Sequence, residues 1–245
     1  KNKLFSFSKI DLCDQKKLVK FFEKKNNFKL VHLAAQPGVI YSFKNPKSYY
    51  ENNVLATKNL INSIINKNVS NFIFVSSSSV YGNQTKYPIK ETAKLKSLNY
   101  YANTKIICEK YIKKKLKKHQ SVKIVRPFTV YGPFGRPDML ILKFLNFFRE
   151  NKTINIYNFG NHIRDFTYVE DVAKVIYKFS KLKNKNIQTF NICASNPIKI
   201  NKVIEYFEKF LKKKVNINRK PRRKGEMEIT FGSNNKLKKH LKIKK

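Results

Sequence analysis

Apolar positions along the chain follow two recurring rhythms. Residues 15–25 (QKKLVKFFEKK), 46–68, 100–118, 137–150, 169–182 and 200–213 space them as a helix does, with Val54, Leu60, Ile61 and Ile64 on one stripe of the 46–68 segment. Short apolar runs lie between these segments: 28–35 (FKLVHLAA), the start of 71–82 (NFIFVSSSSVYG), 122–133 (VKIVRPFTVYGP), 154–156 and 188–193. The runs are continuous rather than alternating, so they read as strands buried on both faces. With helices between them, they predict an α/β fold with a parallel sheet covered on two sides. Ligands in such sheets sit beyond the carboxyl ends of the strands. Here those ends read LAAQPG, VSSSSVYG and RPFTVYG.

Composition adds constraints. The 245 residues are 41% hydrophobic with 20 phenylalanines, enough for a packed core. No apolar run approaches the roughly 18 residues of a membrane span. Cys13, Cys108 and Cys193 are too widely spaced for a disulfide framework or a zinc pattern, and no signal peptide is apparent, so a reducing cytoplasm is expected. The net charge of +38 raises nucleic acid or an anionic membrane as partners. The lysines are scattered through every segment rather than gathered in one arm, so neither partner is expected to bind specifically. Against 46 lysines there are only seven arginines: Arg126, Arg136, Arg149, Arg164, Arg219, Arg222 and Arg223. Arginine is retained where a planar fork must grip phosphate or carboxylate. His32, His119, His162 and His240 show no metal-ligand spacing and read as structural or solvent-facing.

A tyrosine precedes a lysine by four residues three times: Tyr101/Lys105, Tyr111/Lys115 and Tyr177/Lys181. Chance alone produces about this many in so lysine-rich a chain. Only Tyr101 opens the long helix that follows a strand ending in Ser76, Ser77, Ser78 and Ser79. A hydroxyl, a phenol and an ammonium at one crevice can move a proton, because the ammonium favours phenolate and the hydroxyl relays. Tyr111 and Tyr177 have no strand-end serines before them.

The segments VHLAAQPGVIYS, ENNVLATKNL, FVSSSSVYG, YYANTK, RPFTVYGPFGRPDM, IYNFGNHIRDFTYVEDVA and PRRKGE together resemble the extended short-chain dehydrogenase/reductase family, in its NAD-dependent nucleotide-sugar epimerase/dehydratase branch. They are most like the UDP-glucuronate 4-epimerases. The resemblance implies a Rossmann-like doubly wound sheet over 1–126 and a smaller C-terminal substrate-binding domain over 127–245, with segments near 164–193 returning to the sheet. It implies NAD as cofactor, a UDP-sugar as substrate and a homodimer. Tyr101 becomes the general base, Ser77 the relay, and Lys105 the group that holds the nicotinamide ribose and lowers the phenol pKa. Asp11 and Leu12 would meet the adenine. Ala34, Ala35, Gln36 and Asn53 would line the dinucleotide. Ser77 and Ser78 would bind the substrate, Thr129 and Arg136 would fall on sugar- and phosphate-side positions, Arg164 and Arg223 would grip the diphosphate, and Glu226 would touch the uridine ribose.

Three departures qualify the resemblance. The first glycine is Gly38, so the family's glycine-rich phosphate loop and first β–α–β unit are expected before Lys1. The chain accordingly reads as a fragment that should hold NAD poorly. Ile40 stands where the glucuronate epimerases commonly carry an arginine, and Pro37 where they carry a small residue. Ser78 and Ser79 stand where related 4,6-dehydratases carry acids, which favours epimerisation over elimination of water. A UDP-sugar decarboxylase or reductase, and a non-catalytic basic nucleic-acid-binding protein on the same fold, remain the alternatives.

Overall fold

The computed structural model describes residues 4–116, 121–182 and 186–243. His119 and the end of the expected 100–118 helix lie outside the described residues. In chain order the elements are α1 (Gln15–Phe22), β1 (Phe28–His32), α2 (Tyr41–Lys44), α3 (Pro46–Tyr49), a π-helical segment (Tyr50–Leu55), α4 (Ala56–Ile64), β2 (Val69–Val75), a 3₁₀ turn (Ser78–Tyr81) and α5 (Tyr100–Lys115). There follow β3 (Val122–Pro127), β4 (Thr129–Tyr131), α6 (Leu140–Arg149), β5 (Ile154–Tyr157), β6 (Ile163–Tyr168), α7 (Val169–Lys181), β7 (Ile187–Ile192), β8 (Pro197–Lys199), α8 (Ile200–Leu211), β9 (Ile217–Lys220) and α9 (Asn235–Leu241).

The main sheet runs β1-β2-β3-β7, every pair parallel. Successive strand residues point to opposite faces, and both faces are covered. Phe72, Phe74, Val122 and Ile124 pack under α1, α4 and α5, against Leu18, Phe22, Leu60, Ile61, Ile64 and Ile112. Ile73, Val125 and Phe190 pack on the other face against Val172, Val175 and Phe179 of α7 and Leu237 of α9. The fold is the doubly wound α/β architecture that unbroken apolar strands predict. A second small core joins Phe144 of α6, Ile154 and Ile156 of β5, and Ile200 and Ile204 of α8.

Two expected elements are interrupted. The 46–68 helix is broken by the π segment, whose wider turn lets the adjacent Asn53 and Val54 both face inward at 1% exposure. The 122–133 strand ends at Pro127. The Phe128 N–H closes onto the Ile192 carbonyl at 2.9 Å, and β4 then leaves the main sheet to pair with β6. β6 in turn pairs antiparallel with β8, and β5 pairs with β9, giving two small sheets beside the main one.

Candidate active site

The carboxyl end of β2 delivers the serines. Ser76 N–H still binds the Val125 carbonyl at 2.8 Å, in register with the sheet. Ser77 is extended, and its Oγ accepts from Ser79 N–H at 3.2 Å and donates to Ser79 Oγ at 3.1 Å. Gly82 ends the turn at φ +59, where a Cβ would fall 1.9 Å from the Lys96 carbonyl oxygen, so no side chain fits there.

Asn99 starts α5 by accepting from Ala102 N–H at 2.8 Å. Its amide also donates to the Gly225 carbonyl at 3.0 Å, tying the helix of Tyr101 to the PRRKGE loop. Tyr101 lies in the first turn of α5. Burial pushes its phenol pKa up, while the Ser77 hydroxyl and the positive charge of Arg136 oppose that rise. The resemblance gives this electrostatic task to Lys105, but the structure turns Lys105 elsewhere. Its Nζ donates to the Val75 carbonyl at 2.9 Å and lies 5.0 Å from the centre of the Phe74 ring. Lys105 is 4% exposed, and burial lowers its pKa to about 8, against the pull of Cys108 and Glu109.

The LAAQPG loop after β1 is latched from the α3/π region. Asn53 accepts from Gln36 N–H at 2.6 Å, donates to the Gln36 carbonyl at 3.1 Å and donates to Thr104 Oγ1 at 2.9 Å. Tyr49 OH donates to the Pro37 and Gly38 carbonyls, each at 2.7 Å, and its ring stands edge-on to Tyr101. Ala34 is exposed and Ala35 half-buried. Asp11 is exposed, its carboxylate accepting from Cys13 N–H at 2.8 Å, and Leu12 packs against the first core.

The residues expected to meet the substrate fall into two groups. Thr129 and Arg136 line one cavity with Tyr131, Leu140 and Phe166. Arg136 ion-pairs with Asp138, and its charge is felt at both Tyr101 and Tyr49. Ser78 is buried behind Ser77. In the second group Arg164 donates to the Ile163 and Glu228 carbonyls at 2.9 and 3.0 Å. Arg223 stacks 3.8 Å above the Tyr157 ring and pairs with Glu226. Sequence reasoning passed over His162, which belongs here. It is 5% exposed, its Nε2 has no hydrogen-bond partner among the described residues, and Arg164, Arg222, Arg223 and Glu226 all act on it. Glu226 Oε2 is likewise buried without a partner among the described residues. No spacing in the sequence marked that histidine.

The model of the NAD dependent epimerase/dehydratase family matches residues 1–193. A UDP-glucuronate 4-epimerase of Thermodesulfobacterium geofontis is 35% identical over 245 residues, covering 98% of this chain and 75% of that protein. An uncharacterised protein of Methanocaldococcus jannaschii is 36% identical, covering 98% of this chain and 74% of its own. The crystal structure of UDP-glucuronic acid 4-epimerase from Bacillus cereus, in complex with UDP-glucuronic acid and NAD, superposes with a TM-score of 0.90 at 30% identity, over 99% of this chain and 77% of that one. No helix among the described residues is long and apolar enough to cross a membrane.

Proposed function

The chain belongs to the NAD dependent epimerase/dehydratase family, and from that premise we propose that it interconverts UDP-glucuronate and UDP-galacturonate at C4 through a 4-keto sugar. The observation that carries this reading is that Ser77, at the carboxyl end of a parallel strand, and Tyr101, in the first turn of α5, come together, with Ser77 and the Arg136 charge both acting on the phenol. A dinucleotide suits the donors in this crevice. The small side chains of Ala34 and Ala35 leave the backbone approachable, and Asn53 holds Gln36 rigid. An ammonium has three N–H donors. Lys105 gives one to Val75 and has two left for ribose hydroxyls. When bound, NAD supplies hydride exchange at the sugar C4, outward from one face and back onto the other.

The protein's own part is proton transfer and grip. Tyr101 takes the proton of the C4 hydroxyl as the carbonyl forms and returns it when the carbonyl is reduced, with Ser77 passing it along. Arg136 supplies a cation next to the reacting centre, the task that Ile40 cannot perform, and so favours a sugar carrying a carboxylate. Arg164 and Arg223 are the forks available for a diphosphate, with Glu226 and His162 beside them. Elimination of water needs a free acid at the crevice. Glu109 and Asp138 are both held by arginines, and Ser78 and Ser79 cannot serve, so epimerisation is favoured over dehydration.

The test is Tyr101→Phe, assayed for conversion of UDP-glucuronate to UDP-galacturonate. Loss of the phenol should cut turnover by about 10²- to 10⁴-fold with the structure intact. Tyr111→Phe should cost little, because that hydroxyl bonds Asn62 on the surface at 2.7 Å. Tyr177→Phe should also cost little, because that ring is 63% exposed under Lys181. Full activity in Tyr101→Phe, or an equal loss in Tyr111→Phe, would remove the catalytic assignment.

A further inference from the structure

Behind the catalytic residues lies a fully buried polar network that none of the assigned roles uses. Glu109 sits on α5 one turn beyond Lys105 and is 1% exposed. Its Oε1 accepts from Ser76 Oγ at 2.6 Å and from Arg126 Nε at 2.9 Å, and its Oε2 accepts from Arg126 Nη2 at 2.6 Å. Arg126, on β3, is 2% exposed. Its Nη1 donates to Tyr81 OH at 2.9 Å and to the Glu91 carbonyl at 3.2 Å. Tyr81 OH then donates to Asn191 Oδ1 on β7 at 2.6 Å. The chain of bonds therefore runs from the helix of Tyr101, across the strand ends, to the turn that follows the serines.

A buried ion pair is weak evidence for stability, since well-packed apolar side chains often serve as well or better. The placement of this one matters more. Ser76 immediately precedes Ser77, and its backbone is already fixed to β3. A single carboxylate thus ties the residue before the relay hydroxyl to the helix turn after the catalytic lysine. We propose that Glu109, clamped by Arg126, is a positioning residue that sets the spacing of Ser77 against Tyr101 and Lys105. The kinetic part of this proposal rests on the C4-epimerase reading; the lysine titration below does not. Misplacement by about 1 Å can cost on the order of 10²-fold in rate.

Glu109 also bears on the charge of Lys105. Lys105 is faced by neutral His32 from β1, by the Phe74 ring and Val75 carbonyl from β2, and by Cys108 and Glu109 on its own helix. The Glu109 carboxylate opposes the desolvation that favours neutral amine.

Three variants decide the matter: Ser76→Ala, Ser76→Thr and Glu109→Gln. Each is measured in the full chain for kcat and KM with UDP-glucuronate, for thermal midpoint, and for the Lys105 titration by ¹³C NMR of lysine ε-carbons, assigned with Lys105→Met. Ser76→Ala should lower kcat roughly 10- to 100-fold while KM and the midpoint hold, and Ser76→Thr should recover most of it by restoring the hydroxyl. Glu109→Gln should move the Lys105 titration to lower pH and take the alkaline limb of kcat with it. If Ser76→Ala retains wild-type kcat, or Lys105 titrates unmoved in Glu109→Gln, the network is only a stabilising pair and the proposal fails. Should Glu109→Gln not fold, Ser76→Ala decides alone. A wild-type chain that binds NAD yet turns over no UDP-sugar overturns the C4-epimerase reading only. The Lys105 titration then still judges Glu109: a fall supports it and no movement sinks it.

Discussion

Arg136 stands where two phenols, one carboxylate and the QPG loop converge. Its Nε donates to Asp138 Oδ1 at 2.9 Å, and a Cβ on Gly38 would sit 3.5 Å from its Nη2. Asp138 keeps the guanidinium satisfied in the free protein, and the bond holds the Asp138 carboxyl below its ordinary pKa. A hydrogen bond to a charged group contributes about 1.5–3 kcal/mol, and about 1.4 kcal/mol is tenfold in affinity. Arg136→Met should therefore weaken UDP-glucuronate binding by roughly 10- to 100-fold and leave UDP-glucose binding nearly unchanged. Calorimetry with both ligands checks this, and equal losses on the two would show that Arg136 does not read the carboxylate. Arg136 and the Ser77–Tyr101 pair were legible in the sequence. Rare arginines stand out against 46 lysines, and a serine run ending an apolar strand points at the next helix. Glu109 and His162 were not legible, because Glu109 meets Ser76 and Arg126, and the charges of Arg222 and Glu226 act on His162, only once the chain is folded.

The carboxyl end of β1 shows how an element joins its neighbours at a chemical cost. His32 is 4% exposed, and its Nε2 lies 2.9 Å from Thr57 Oγ1 of α4. Burial first, then the Lys105 charge, lowers its pKa from 6.5 to about 3. The folded state therefore refuses a proton that the unfolded chain accepts. Stability is fully present above pH 6.5 and is lost as pH falls from there toward 3, at up to about 1.4 kcal/mol per pH unit. His32→Gln, which can keep the Thr57 bond, removes that titration. The stability gap between wild type and variant measured by urea unfolding at pH 7 should shift toward the variant by up to about 2 kcal/mol at pH 5. A gap that stays constant across this range would show that His32 is not held neutral. Most elements could be read from apolar spacing, since continuous runs gave the four parallel strands and their covering helices. The π segment could not: Asn53 turns inward to reach Gln36, a partner the local spacing does not reveal. β6 (IRDFTY) and β9 (INRK) were hidden for the opposite reason, since partly polar strands in small sheets leave no continuous apolar run.

Across the whole molecule, 53 lysines and arginines face 15 aspartates and glutamates. The cations are spread along the chain rather than gathered: Lys17, Lys47, Lys152, Lys174, Lys202 and Lys214 all pair with acids while more than half exposed. Such exposed pairs are worth about 0–1 kcal/mol each, and there are too few acids to neutralise the rest. The dominant whole-molecule term is then self-repulsion, which works against the compact state. Salt weakens both effects. The screening length falls from about 30 Å at 0.01 M to about 8 Å at 0.15 M, which removes repulsion between distant lysines while touching pairs still feel each other. The thermal midpoint should accordingly rise by a few degrees over that interval, since 1 kcal/mol moves a domain of this size by about 2–4 °C. Most of the rise should come at the low-salt end. Scanning calorimetry at constant pH in a chloride series measures it. A midpoint that falls as chloride is added would mean that local pairing outweighs the +38 net charge, and the scattered lysines would then have to be read as a built electrostatic surface rather than a compositional bias.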